Sequence, residues 1–262
     1  MSVAPDLSVL DEWPPAPALP PGLDAASVHV WRIGLDVPDE EQARRAAALS
    51  PDEIARAERF RVERDRRCWI AARGAVRAIL AGYLGCRASS LTFRIGPHGK
   101  PALDGPPAAE RLEFNVSHSG NLALCAVARA RAVGVDVEAI RPDFASLDVA
   151  RRFFSGTEFA ALEALPRGER VAAFFACWTR KEAYIKARGT GIALGLDRFE
   201  VSLAPDRPAA LLATHDEPAA AAHWRLAALD PGDGYAGAIV TEGPACLAGW
   251  QWQPAPGQAS RR

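Results

Sequence analysis

The chain has 262 residues, 49% of them hydrophobic and 24% charged, an ordinary globular composition with length for one or two domains around a proper core. Its net charge of −1 gives no basic field for nucleic acid or a membrane surface, so neither is expected as a partner. Five scattered cysteines without a CxxC pair argue against a disulfide framework or a zinc site and for free thiols in a reducing cytoplasm.

Residues 1–26 are Pro-rich, with neither the basic start nor the apolar core of a signal peptide. No run approaches the roughly 18 apolar residues of a membrane span. This segment and the tail at 246–262 read as loose ends around two subdomains, 27–130 and 131–245. The first subdomain opens with a strand, VHVWRIGLD, and Ser50–Glu53 (SPDE) starts a helix with a capping box. Arg56, Arg59, Arg61 and Arg64 form a local basic cluster able to hold a small polyanion. A helix follows from Cys68, then the strand LTFRIG and the turn at Gly99–Pro101.

FNVSHSGNLALCAVA is expected to run through a turn near 129–132 into VGVDVE, a hairpin that pairs Glu138 with a residue near Ala123. The SHSG loop then lies beyond the carboxylate end of the sheet, where Ser117, His118 and Ser119 with backbone amides make a phosphate cradle. In VGVDVE, period two places Asp136 and Glu138 on one strand face and the valines on the other. Two such carboxylates repel unless a cation sits between them or one is protonated, and their hard oxygens suit Mg²⁺ or Mn²⁺.

The second half echoes the first. SGTE at Ser155–Glu158 repeats the capping box, and CWTRKEAYI from Cys177 repeats CWIAARGAV from Cys68, at offsets of 105 and 109 residues. A closing strand, RFEVSL, matches LTFRIG. Order, caps and strands point to duplication and to two similar α+β subdomains with a ligand cleft between them. Superposing the Cys-Trp pairs sets Arg73 opposite Glu182, a phosphate end facing a metal end.

In the helix through Phe174–Gly191, Phe174, Phe175, Trp178 and Ile185 share an arc of roughly 140° with Lys181, Glu182 and Lys186. An i,i+4 pair between Glu182 and Lys186 gains only about 0.2–0.5 kcal/mol, too little to justify burying both. Glu182 is the natural third carboxylate for Asp136 and Glu138. Arg180 is expected to face solvent, and Trp178 to sit in the core.

The motifs GKP at Gly99–Pro101, NVSHS at Asn115–Ser119, GVDVE at Gly134–Glu138, FFSGTEFAAL from Phe153 and WTRKEAYIKARGTG from Trp178 occur in one order over roughly residues 50–201. Together they resemble the 4′-phosphopantetheinyl transferases of the surfactin-synthetase-activating (Sfp-like) type. The resemblance implies an α+β pseudodimer within one chain, a monomer. It also implies an enzyme that moves the phosphopantetheine arm of coenzyme A onto a serine of an apo acyl or peptidyl carrier protein and releases adenosine 3′,5′-bisphosphate. Such enzymes serve polyketide, nonribosomal peptide and fatty acid biosynthesis.

By the same resemblance, Asp136, Glu138 and Glu182 hold Mg²⁺ against the pyrophosphate. Lys100, Pro101, Ser117 and His118 contact the nucleotide and its phosphates, Lys181 and Lys186 lie near the pyrophosphate, and Arg56 and Arg73 take the 3′-phosphate end. Asp136, Glu182 and Lys186 would carry the chemistry, with Glu182, or a water it orients, accepting the serine proton. Two other readings share parts of this constellation: another Mg²⁺-dependent nucleotide pyrophosphatase or phosphodiesterase, and a non-catalytic coenzyme A-binding relative.

Overall fold

The structure is a computed structural model and describes residues 10–17, 19–105, 111–205, 207–215 and 217–254. The first half runs through β1 (Ser27–Gly34), α1 (Asp39–Ala46), α2 (Pro51–Ala57), α3 (Glu63–Leu84), β2 (Thr92–Ile95), β3 (Pro101–Asp104), β4 (Leu112–Ser119) and β5 (Leu122–Arg129). The second half repeats that order with β6 (Val133–Ala139), α4 (Leu147–Phe153), α5 (Gly156–Ala164), α6 (Arg167–Arg188), β7 (Phe199–Val201), β8 (Leu211–Thr214), β9 (Trp224–Leu229) and β10 (Tyr235–Glu242). A last strand, β11 (Cys246–Gln251), follows.

Equivalent strands pair in the same way. β5 lies between β1 and β4, β10 lies between β6 and β9, and all four pairings are antiparallel. β2–β3 and β7–β8 form the matching small hairpins. Both capping boxes are present, at Ser50/Glu53 and Ser155/Glu158. The echo in the sequence is thus a repeat of topology, and the chain is a pseudodimer of two α+β units.

Strand periodicity builds the layers. On β1, Val28 and Val30 turn to one face while Trp31 and Ile33 turn to the other, against Ile79 and Leu80 of α3. Val133, Val135 and Val137 of β6 meet Val28, Val30, Leu122 and Leu124 in a layer between the two sheets. Each of these valines is fully buried and gains about 1.5–3 kcal/mol over exposure. A third cluster, around Phe174, Phe175, Tyr184 and Phe199, fills the space between α6 and the second sheet. β5 is apolar along its length because it is buried on both faces.

The strand pairing corrects the expected hairpin. β5 turns back at Gly120–Asn121, with Ser119 opposite Leu122 and Gly120 in the left-handed region at φ 58°, the two-residue signature of a tight hairpin. Residues 130–132 instead carry the chain from one sheet to the other, and Glu138 pairs with Ala236 of β10. Ser117–Ser119 therefore end a strand and do not form a loop.

The expected loose ends are corrected as well, where they fall within the described residues. β11 adds to the first sheet parallel to β1, from Ser27↔Cys246 to Arg32↔Gln251. Leu10 bridges to Leu229 and accepts the Asp230 amide at 2.9 Å, while Pro14 accepts the Gln251 amide at 2.8 Å and Ala16 donates to Gln251 O at 2.9 Å. Residues 10–16 thus meet the C-terminal end of β9 in one sheet and of β11 in the other. Residues 1–9 and 255–262 lie outside the described residues. Among the described residues, no helix is long and apolar enough to cross a membrane.

Candidate active site

The seam between the halves is made by β4 and β6, which belong to different sheets and share no backbone ladder. Side chains at alternate positions of β4 take over the bonding. Asn115 Oδ1 accepts the Val135 amide at 2.9 Å, Ser117 Oγ donates to Asp136 Oδ1 at 2.7 Å, and Ser119 Oγ donates to Glu138 Oε2 at 2.7 Å. The intervening residues, Val116 and His118, turn the other way and line a cavity. One strand therefore addresses two compartments through its period of two.

Helix α6 lies directly on β6. A Cβ at Gly134 would collide with the Ala183 carbonyl and the Ala187 amide, so only glycine permits this approach. The close seat brings Glu182 and Lys186, one turn apart, over the carboxylate strand. Lys186 Nζ donates to Asp136 Oδ1 at 2.6 Å and to Ser117 Oγ at 2.8 Å. Asp136 is only 2% exposed, and its second oxygen, Oδ2, is buried without a hydrogen-bond partner among the described residues.

Electrostatically the three carboxylates belong together. Burial raises the Asp136 carboxyl above its ordinary range, opposed by Lys186 and Ser117. Burial and then Asp136 raise Glu138; burial, then Asp136, and more weakly Glu138 raise Glu182. Each anion is disfavoured by lost solvation, and Glu138 and Glu182 also by the neighbouring carboxylates, a conflict that a divalent cation reverses. Among the described residues, no three His, Cys, Asp or Glu side chains stand at the mutual spacing of a closed metal shell.

The cavity beside the seam holds about 490 Å³ and is walled by α2, α3, the β2–β3 hairpin and β4. Arg56, Arg73, Pro101 and His118 line it, with Trp69 and Phe93 as apolar walls. Arg73 stacks 4.0 Å over the Phe93 ring, and Arg56 lies 5.7 Å from the centre of Trp69. The buried Glu53, which also closes its own capping box, pairs with both Arg73 and Arg77. Lys100 reaches past the cavity to donate to Val133 O at 3.1 Å, and burial lowers its ammonium pKa. Glu182 does not line this cavity, so Arg73 and Glu182 do not face one groove in this structure. A smaller cavity of about 240 Å³, among Tyr184, Arg188 and Arg198, touches none of these groups.

Two expectations on α6 fail for one reason. Lys181 is fully buried, pairs with Glu158 Oε2 at 2.6 Å and donates to the carbonyls of Leu196 and Phe199 at 2.7 Å each. It is a core lysine whose ammonium is taken up by these partners, away from the Asp136 seam where Lys186 lies. Arg180, expected in solvent, is 8% exposed and donates to Ser202 O at 2.6 Å. Both lie on the flank of α6 that packs toward β7 and α5, a surface the amphipathic arc alone did not reveal. Trp178 packs on Phe174 as expected, with centroids 5.9 Å apart.

Sequence reasoning also missed partners. The sequence reads Glu53 only as a helix cap and Asn115 only as part of a motif, and it sets Ser119 at a phosphate and not at Glu138. The available signal was the alternation of small polar residues in NVSHS, which marks one face of a strand and not a loop.

The chain matches the family model for the 4′-phosphopantetheinyl transferase superfamily over residues 132–240 and that for the 4′-phosphopantetheinyl transferase N-terminal region over residues 37–130. It is 43% identical over 237 residues to the 4′-phosphopantetheinyl transferase HetI of Nostoc, covering 90% of this chain and 94% of that relative. It is 33% identical over 181 residues to the 4′-phosphopantetheinyl transferase Sfp of Bacillus subtilis, covering 68% of this chain and 78% of Sfp. A Bacillus pumilus 4′-phosphopantetheinyl transferase is 34% identical over 224 residues, with 83% of this chain and 91% of that relative covered.

Proposed function

The chain belongs to the 4′-phosphopantetheinyl transferase superfamily, and on that premise we propose that Asp136, Glu138 and Glu182 hold Mg²⁺ at the seam between its halves. It is a transferase that uses coenzyme A and moves the phosphopantetheine arm onto carrier proteins. The observation that carries the metal reading is the buried, partnerless Oδ2 of Asp136, set among two further carboxylates whose charges it disfavours. The donor set is all hard oxygen, as Mg²⁺ requires, and Mg²⁺ commonly takes only one or two carboxylates beside substrate phosphates and water. That habit accommodates carboxylates that do not yet form a closed shell. When bound, the cation supplies charge neutralisation on the pyrophosphate.

The chain's own groups divide the remaining work. Lys186, fixed on Asp136, places a compact cation beside the same phosphates. Ser117 and His118 carry the strand from the carboxylates to the cavity, which has room for a nucleotide and offers Arg56 and Arg73 to its 3′-phosphate. Glu53 already shares Arg73, so Arg56 bears more of that charge. Lys100 and Pro101 border the nucleotide between the hairpin and β6. Glu182, directly or through a water, takes the proton of the carrier serine as it attacks phosphorus, and the departing product is adenosine 3′,5′-bisphosphate. In this reading residues 27–130 form the nucleotide side and 131–245 the metal side, and one chain acts as a monomer.

Incubation with coenzyme A, Mg²⁺ and an apo carrier tests the reading by mass spectrometry. The carrier is expected to gain one phosphopantetheine, and the gain is expected to vanish with Glu182→Gln or with chelator. Free phosphopantetheine beside an unmodified carrier would overturn it in favour of hydrolysis.

A further inference from the structure

We propose that Ser119 is a positioning residue that fixes the carboxylate of Glu138 for divalent-cation binding, an inference that rests on the metal reading above. Its hydroxyl is committed on both sides. It accepts the Ala139 amide at 3.1 Å and donates to Glu138 Oε2 at 2.7 Å. A hydroxyl whose acceptor side is filled by a backbone N–H has its proton steered, so Ser119 holds one glutamate oxygen and leaves the other available.

The anchor itself is rigid. Ser119 closes the β4–β5 hairpin opposite Leu122, and the hairpin tip is pinned to β10, where Tyr235 Oη accepts the Asn121 amide at 3.2 Å. Ser117 does the same for Asp136, two residues away on the same strand face, but Asp136 has Lys186 in addition. Glu138 is a longer side chain near the end of β6, and Ser119 provides its hydrogen bond across the seam. Groups that orient a metal ligand from behind commonly contribute about 10–100-fold in affinity.

Mn²⁺ titration followed by electron paramagnetic resonance, with saturating coenzyme A and no carrier, reads the effect without turnover. Ser119→Ala is expected to weaken Mn²⁺ binding by about 10–100-fold, while Ser119→Thr, which keeps the hydroxyl, restores it to near the parent value. Coenzyme A affinity in chelator is expected to stay unchanged in both. In a Glu138→Gln background, Ser119→Ala is expected to add no further loss. Parent-like or tighter Mn²⁺ binding by Ser119→Ala, or a Thr variant as weak as Ala, overturns the role of Ser119 alone. A parent protein that binds no Mn²⁺ overturns the metal reading and this inference together. Should Ser119→Ala fold poorly, Ser119→Cys keeps the volume with a weak donor and is expected to bind Mn²⁺ less tightly than the parent; parent-like binding there also overturns the role.

Discussion

Lys186 of α6 donates to Oδ1 of Asp136 on β6 across 2.6 Å, joining the helix to the strand at the line where the two halves meet. The ammonium is partly exposed and the carboxylate almost wholly buried, so the contact stabilises an anion that has few other means of staying charged. Lys186→Ala is expected to lower kcat/KM for carrier modification by about 10²–10³-fold, the usual loss when one fixed donor to developing charge is removed. A steady-state assay with coenzyme A and an apo carrier checks it, and parent-like turnover would refute the assignment.

Adding Mg²⁺ is expected to raise the unfolding temperature. Asp136, Glu138 and Glu182 all have raised pKa values, so the folded chain binds protons more tightly than the unfolded one. Their contribution is therefore lost as pH rises through the raised pKa values, and a cation that replaces the missing protons should help more above them than below. At a hundredfold excess over its Kd the gain is about 2.7 kcal/mol. Differential scanning fluorimetry with and without Mg²⁺ measures it, and Asp136→Asn should abolish the response.

Lys181 supports the fold. Lys181→Met leaves Glu158 buried without its cation, which typically costs about 3–5 kcal/mol. Urea denaturation should show that loss, while KM for coenzyme A in the folded fraction stays at the parent value. A large rise in KM with unchanged stability would restore the phosphate role.

Arg56 is exposed at the cavity rim, whereas Arg73 is shared with Glu53. Arg56→Ala is expected to weaken coenzyme A by about tenfold or more, the size of one charge-assisted hydrogen bond, and to leave dephospho-coenzyme A nearly unaffected. Calorimetric titration of the two ligands separates the outcomes, and equal losses would place Arg56 elsewhere.

His29 gives the fold an acid limit. Burial holds its imidazole down at about 4, against 6.5 in the unfolded chain. The unfolded state therefore binds the extra proton first, and stability present above pH 6.5 is lost as pH falls toward 4, up to about 3 kcal/mol. Denaturation curves across pH 7 to 4.5 test this, with a flatter profile expected for His29→Gln.

The repeat was legible because it is written locally, in caps and in Cys-Trp pairs at matched offsets. The carboxylate pair was legible because period two is a rule of the strand and needs no partner. What escaped depends on distant chain. Nothing near Cys246 announces a parallel strand beside Ser27, since that pairing joins residues more than two hundred positions apart. A helix arc shows which residues leave solvent but not which neighbour each will meet, so Lys181 and Lys186 looked alike until Glu158 claimed one and Asp136 the other. Ser119 reads as loop because SHSG is rich in turn residues, whereas Gly120–Asn121 alone make the turn and Ser119 is the last residue of β4.

Residues 10–16 run past the last strand of each sheet, beside Leu229 on one side and Gln251 on the other. A free strand border is a template on which further chains can stack into fibrils. By bridging to the final residue of both border strands, residues 10–16 interrupt each template at its C-terminal end.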